Sequence, residues 1–153
     1  MIDQRLIDIV ARQEGKRLDV YKDSEGYWTI GHGCCISRDK LLTEDEARFQ
    51  CGAPWDDETC KAKLVEMLRS EEAELEQRVA GFNAFPDWVR RGLVDMAYQL
   101  GTGGVMAFKR MLEALQRGDY PAAEQAALQS EWHRQTPSRC EEVARMIGNK
   151  AIG

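Results

Sequence analysis

An α+β chain, predominantly helical, is the fold class this sequence predicts, and three observations carry it. A short run from Gln13 to Gly33 alternates apolar and polar residues around a Lys-Asp-Ser-Glu-Gly bend, the pattern of two short strands and a turn. Elsewhere the apolar residues recur every three or four positions, the period of amphipathic helices. At 153 residues, 43% of them hydrophobic and 31% charged, the chain has room for one real core but not for two independent domains. The expectation is one domain over residues 1–153, pinched into two lobes. A small hairpin lobe would occupy about 14–55 and a connecting helix about 56–80, with the helical lobe at about 81–153 plus residues 1–13.

Ile2, Leu6, Ile9, Val10 and Gln13 fall on one helical face, so a helix is expected from about 2 to 13, ended by Gly15. That end fixes Glu14. Leu18 and Val20, then Tyr27, Trp28 and Ile30, give the two strands, and Gly31-His32-Gly33-Cys34-Cys35 follows them. His32 reads as a structural residue. Thr43-Glu-Asp-Glu46 is a capping box for a helix reaching about Gly52, and Pro54 interrupts. Asp56 or Asp57 starts a long charged helix with Cys60, Leu64, Met67, Leu68, Leu75 and Val79 on its apolar positions. Its seam is too short and irregular for a coiled coil, which leaves a strut between lobes.

Gly81 to Pro86 is a loop, and Asp87 is expected to cap a helix striped by Val89, Leu93, Met96, Ala97 and Leu100. Gly101-Thr-Gly-Gly104 breaks it. Val105, Phe108, Met111, Leu112 and Leu115 make the next helix, closed by Gly118. Asp119-Tyr-Pro121 opens an alanine-rich helix to Gln129, whose small residues suit close packing. Thr136 is placed to N-cap a last helix with Pro137 in its first turn, Arg139 at its start, and Val143 and Ile147 behind.

With 26 acidic and 21 basic side chains the net charge is -5, which argues against phosphate-backbone binding. Nucleic acid is not an expected partner. The N-terminus interleaves charges among its apolar residues, so neither a signal peptide nor a membrane-spanning run is expected. Five cysteines, Cys34, Cys35, Cys51, Cys60 and Cys140, are an odd number without ligand-like spacing, so no zinc site is expected and at least one thiol of a monomer stays free. The usage suits folding in a reducing cytoplasm, with closure of Cys51 onto Cys60 as an alternative after export. No long exposed apolar run calls for a partner subunit, so a monomer is expected.

Two carboxylates on rigid local elements are the minimum equipment for acid–base cleavage of a glycosidic bond, and Glu14 and Asp23 meet that description. By composition alone they read as solvated turn residues. The run Glu14-Gly-x-Arg-Leu-x-x-Tyr-Lys-Asp23, followed by Ser-Glu-Gly-Tyr-Trp-Thr29-Ile-Gly, resembles the catalytic signature of the phage-type lysozymes, the T-even-type endolysins. The segment Trp132-His-Arg-Gln135-Thr136-Pro137-Ser-Arg139 resembles that family's Trp-x-x-Gln-Thr-Pro-Asn-Arg, and Tyr98-Gln99-Leu100-Gly101 its aromatic-Gln pair. Gly31-His32-Gly33-Cys34 departs from the family's Gly-Ile-Gly-His.

The resemblance implies a lysozyme-like two-lobed fold and a muramidase that cuts the β-1,4 bond between N-acetylmuramic acid and N-acetylglucosamine in peptidoglycan. It implies Glu14 as general acid, with Asp23 and Thr29 positioning the attacking water in a single inverting displacement. It also implies no metal or organic cofactor, Arg139 as partner of Glu14, Gln99 as a supporting residue, and Tyr98, Cys35 and Met111 as residues lining the sugar cleft; for Met111 core packing is the stronger reading of the residues themselves. An endolysin of this type would collect in the host cytoplasm and reach the periplasmic wall after a holin opens the membrane. Two rivals stand beside it: a tail-associated or secreted antibacterial muramidase, and a catalytically silent wall-binding module, against which the intact Glu14, Asp23 and Thr29 count.

Overall fold

The computed structural model describes residues 2–148. They divide into two compact units, one spanning Gln4–Met67 and the other running from Leu68 onward together with residues 2 and 3. As expected, the fold is α+β and mostly helical.

The first unit begins with α1 (Gln4–Glu14), starting two residues later than the apolar spacing predicts and burying Leu6, Ile9 and Val10. β1 (Arg17–Lys22), β2 (Trp28–Gly31) and β3 (Cys34–Cys35) form an antiparallel sheet in that order. The third strand was not expected; it is two residues long, too short to show an alternation. α2 (Glu44–Cys51) carries the capping box, with the N–H of Glu46 donating to the Thr43 hydroxyl, and it ends at Gly52 in the left-handed region at φ 71. Val20, Ile30 and Ala47 make a small core on which Trp28, Ile36, Leu42 and Trp55 pack. Trp55 fits because position 31 is glycine: a Cβ there would meet the Trp55 ring at 3.0 Å. Asp56 accepts from the N–H of Thr59 at 2.7 Å, opening α3 (Asp57–Arg78), whose residues through Met67 belong to this unit.

The second unit takes the rest of α3, a 3-10 turn at Phe82–Ala84, α4 (Asp87–Met106), α5 (Lys109–Gln116), α6 (Tyr120–Leu128), α7 (Glu131–Gln135) and α8 (Pro137–Ile147). Asp87 is not the cap of α4. Pro86 holds that position with no side-chain bond, and Asp87, one residue inside, pairs with Arg90. Gly101 breaks the helix as expected, at φ 75 and ψ 160, but the chain resumes helical turns at once and breaks again only at Phe108, so the helix predicted from Val105 begins at Lys109. Asp119 caps α6 through the N–H of Ala122. α7, capped by Ser130, is an unexpected helix; five residues carry too little period to be seen. All five cysteines are thiols, and burial pushes that of Cys140 up to about 11.

α4 and α8 pack closely at Gly92, where a Cβ would stand 3.0 Å from Ile147 Cγ1 and 3.3 Å from Met146 Cβ. Two tendencies compete in Gly92→Ala. Helix propensity favours alanine by about 1 kcal/mol, while overpacking a tight contact costs about 1–3 kcal/mol. Met146 Cβ sits on the backbone and cannot swing away alone, so the clash wins. The variant is expected to lose up to about 2 kcal/mol, read as a fall of up to about 4–8 °C in Tm.

Candidate active site

Glu14 is the last residue of α1, and the chain turns there because Gly15 adopts φ 74 while its N–H still donates to Ala11 O at 3.0 Å. The turn is held from the neighbouring strand, at the same end of the sheet. His32 Nδ1 lies 2.6 Å from the Gly15 carbonyl oxygen, and a carbonyl can only accept, so this nitrogen carries the proton. His32 is thus structural, as its sequence context suggests: it ties the end of β2 to the residue after Glu14. The next residue, Gly33 at φ 81, leaves the space that the Glu14 carboxyl group occupies, since a Cβ there would stand 3.0 Å from Glu14 Oε2.

Asp23 and Thr29 are organised by one residue between them. Asp23 Oδ1 accepts from the N–H of Tyr27 at 2.9 Å and of Glu25 at 2.9 Å. The Tyr27 carbonyl accepts in return from the N–H of Asp23 at 2.9 Å and from the Thr29 hydroxyl at 3.0 Å. Because the Thr29 proton is spent on that carbonyl, its oxygen offers lone pairs to a further donor. Thr29 is only 3% exposed, so it forms a wall rather than an open surface. Thr29 pairs with Tyr21 on one side and Cys35 on the other, which puts Cys35 beside this group; its thiol donates to Ser37 O at 3.3 Å.

Tyr21 is a neighbour that the sequence reading missed. Burial raises its phenol above the ordinary value; Arg17 opposes this, and the carboxylates of Glu14 and Asp23 add to the rise. It therefore lies within electrostatic reach of both carboxylates. The signal was present in the Leu-x-x-Tyr-Lys-Asp run that carries the resemblance.

The other candidates lie in the second unit. Gln99 accepts from Trp132 Nε1 at 3.0 Å and donates to the Thr136 hydroxyl at 3.3 Å. Thr136, placed to cap α8, makes no side-chain cap there, because its hydroxyl serves Gln99 and Trp132 O instead. Arg139 donates from Nε to Asp95 Oδ1 at 3.1 Å and from Nη2 to Asp95 O at 3.2 Å. Asp95 is fully buried and was not foreseen, although a carboxylate among Leu93, Val94, Met96 and Ala97 is a visible anomaly. Met111 is fully buried at the floor of a cavity of about 500 Å³ whose walls include Phe108 and Trp132, edge to face with centroids 6.1 Å apart. Tyr98 and Gln99 are not among that cavity's lining residues, while Leu100 is.

Among the described residues, no group of three or more His, Cys, Asp or Glu is placed to hold a metal ion, and no helix is long and apolar enough to cross a membrane. The arrangement of the first unit can donate a proton from one carboxyl and accept one at another.

Comparison with known proteins places this geometry in context. The family model described as Phage lysozyme matches residues 11–145. The chain is 31% identical over 93% of its length to the pre-baseplate central spike protein Gp5 of Enterobacteria phage T4, of which it spans 27%. It is 27% identical over 92% of its length to probable T4-type lysozyme 1 of Dictyostelium discoideum, spanning 91% of it. With peptidoglycan hydrolase gp36 of Pseudomonas phage phiKMV the identity is 26% over 86% of the chain and 14% of that protein.

Proposed function

The chain belongs to the phage lysozyme family and is a lysozyme-family glycoside hydrolase, and from that premise we propose that it cuts the β-1,4 bond between N-acetylmuramic acid and N-acetylglucosamine in peptidoglycan. One observation carries this reading: the Tyr27 backbone holds both Asp23 and Thr29, on a hairpin whose end is tied to the residue after Glu14. Preorganisation of this kind is what acid–base catalysis requires.

In the proposed reaction Glu14 gives its proton to the leaving glycosidic oxygen as that bond breaks. A water attacks the anomeric carbon from the opposite face, accepts orientation from the Thr29 oxygen, and passes its proton to Asp23 Oδ2, which no described residue engages. The outcome is inversion, as a single displacement demands. Cys35, which pairs with Thr29 across the sheet, lines this group. The experiment is release of new reducing ends from purified peptidoglycan, with the anomer read by NMR before mutarotation. Muramic-acid reducing ends in the α configuration support the proposal; wall binding without reducing ends replaces it with a binding module.

The biological setting we propose is an endolysin that accumulates in the host cytoplasm and reaches the wall once a holin has opened the membrane, acting as a monomer. The likeness to a phage spike protein favours a second setting, a tail-associated muramidase. Expression in the host cytoplasm separates them: lysis only upon membrane permeabilisation fits the first, whereas recovery of the chain in purified virions fits the second.

Gly33→Ala tests how closely the acid is placed. The left-handed φ costs about 1–2 kcal/mol for any residue with a Cβ, and the Glu14 carboxylate must shift by a few tenths of an ångström to clear the new methyl. A fall of about tenfold in kcat is expected from that misplacement, measured as reducing ends at a temperature where the variant is folded.

A further inference from the structure

Val20, Trp28, Ile30 and Cys34 of the sheet turn to the small core of the first unit, and their chain neighbours Tyr21, Thr29 and Cys35 turn the other way. Thr29 stands opposite Tyr21 on one side and Cys35 on the other, so these three side chains share one face, with paired Cβ atoms about 4.5–5.5 Å apart. The Arg17 guanidinium lies over the Tyr21 ring, 4.6 Å from its centroid, and steadies the phenol there. Glu14 and Asp23 both act on it electrostatically.

The proposed reaction sets a count of donors and acceptors at the attacking water, which has two protons and two lone pairs. The protons turn to Asp23 Oδ2 and to the Thr29 oxygen, one lone pair attacks the anomeric carbon, and the other is left to accept a hydrogen bond. Neither group already assigned to this water can donate one. An ionised carboxylate has no proton, and that of Thr29 goes to the Tyr27 carbonyl at 3.0 Å. The Cys35 thiol on the same face spends its proton on Ser37 O at 3.3 Å. The Tyr21 hydroxyl has no hydrogen-bond partner among the described residues. Burial, the largest influence on the phenol, makes it hold its proton more firmly than an ordinary tyrosine, which keeps it a donor.

We infer that Tyr21 is a further catalytic residue, its O–H donating to the second lone pair of the water that Asp23 and Thr29 orient. The inference rests on the glycosidase reading above. No proton leaves the phenol: the water loses one to Asp23 as its oxygen bonds to the anomeric carbon, and Glu14 protonates the departing oxygen. Tyr21 fixes which lone pair points at the sugar, so it acts on kcat rather than on binding.

Tyr21→Phe keeps the ring beneath Arg17 and removes only the hydroxyl. It is expected to lower kcat on purified peptidoglycan about tenfold, the scale of one hydrogen bond, with KM and Tm at their wild-type values. Replacement of Tyr21 by 4-aminophenylalanine, which returns an N–H donor at the same place, should recover most of that loss. Thr29→Val takes one acceptor from the same water, so in its background Tyr21→Phe is expected to cost about twofold or less, as for groups that act on one atom. A Tyr21→Phe kcat equal to wild type overturns the inference, as does a loss carried by KM, an equal fold loss in both backgrounds, or no recovery with the amine. If Thr29→Val is too slow to measure, the recovery with the amine decides. A wild type that releases no reducing ends removes the glycosidase reading itself, a different failure.

Discussion

Glu14→Gln is expected to lower kcat on peptidoglycan by about 10³-fold, the scale on which a positioned general acid acts, with little change in Tm. Glutamine matches the shape of the side chain and can still pack against Gly33, but it cannot hand a proton to a departing sugar oxygen. Asp23→Asn is expected to cost a comparable factor for the opposite reason, because the amide cannot take the water's proton. The turn should survive, since an asparagine oxygen accepts the N–H groups of Glu25 and Tyr27 that Asp23 Oδ1 now accepts. Both variants should still sediment with insoluble wall material. Retention of more than a tenth of the wild-type rate by Glu14→Gln would remove Glu14 from the role of acid.

The residues proposed to carry this chemistry were legible through the resemblance, whose motif is local. Glu14 precedes a helix-ending glycine, and Asp23 and Thr29 flank a turn, so spacing alone places them on adjoining elements. What escaped was whatever depends on contacts across distance or through the backbone. Tyr27 appears in the motif as an aromatic, yet its peptide group does the holding, and no side-chain pattern reveals that. Thr136 had the right type and position for a cap, but a competing partner, Gln99, takes its hydroxyl. At Asp87 the capping rule failed by one residue, because Pro86 already supplies the extended backbone of that position. β3 and α7 are shorter than one period of any pattern. Cys35 and Met111 come from a resemblance; Cys35 pairs with Thr29 across the sheet, while Met111 is fully buried.

Asp95→Asn is expected to destabilise the protein by about 3–5 kcal/mol, the cost of breaking a buried ion pair by removing one partner. The carboxylate is fully buried and the Arg139 side chain is 10% exposed, with Nη2 3.0 Å from Asp95 Oδ1. Arg139 is always charged, so the substitution leaves a guanidinium facing a neutral amide in a place where water cannot compensate. Arg139→Met removes the charge and should cost less than it would if Asp95 stayed buried and ionised, since a carboxylic acid can take up a proton instead. The double variant Asp95→Asn/Arg139→Met should therefore be more stable than the sum of the single losses by at least 1 kcal/mol, a coupling within the range about 0.5–3 kcal/mol seen for contacting residues. Denaturant unfolding of the four proteins measures it, and strict additivity would show that the pair contributes nothing as a pair. Activity of Arg139→Met at a temperature where it remains folded then separates the two parts that this residue is assigned. A rate close to wild type limits Arg139 to joining α8 to α4, and a fall well beyond the loss of folded protein assigns it a share in the chemistry.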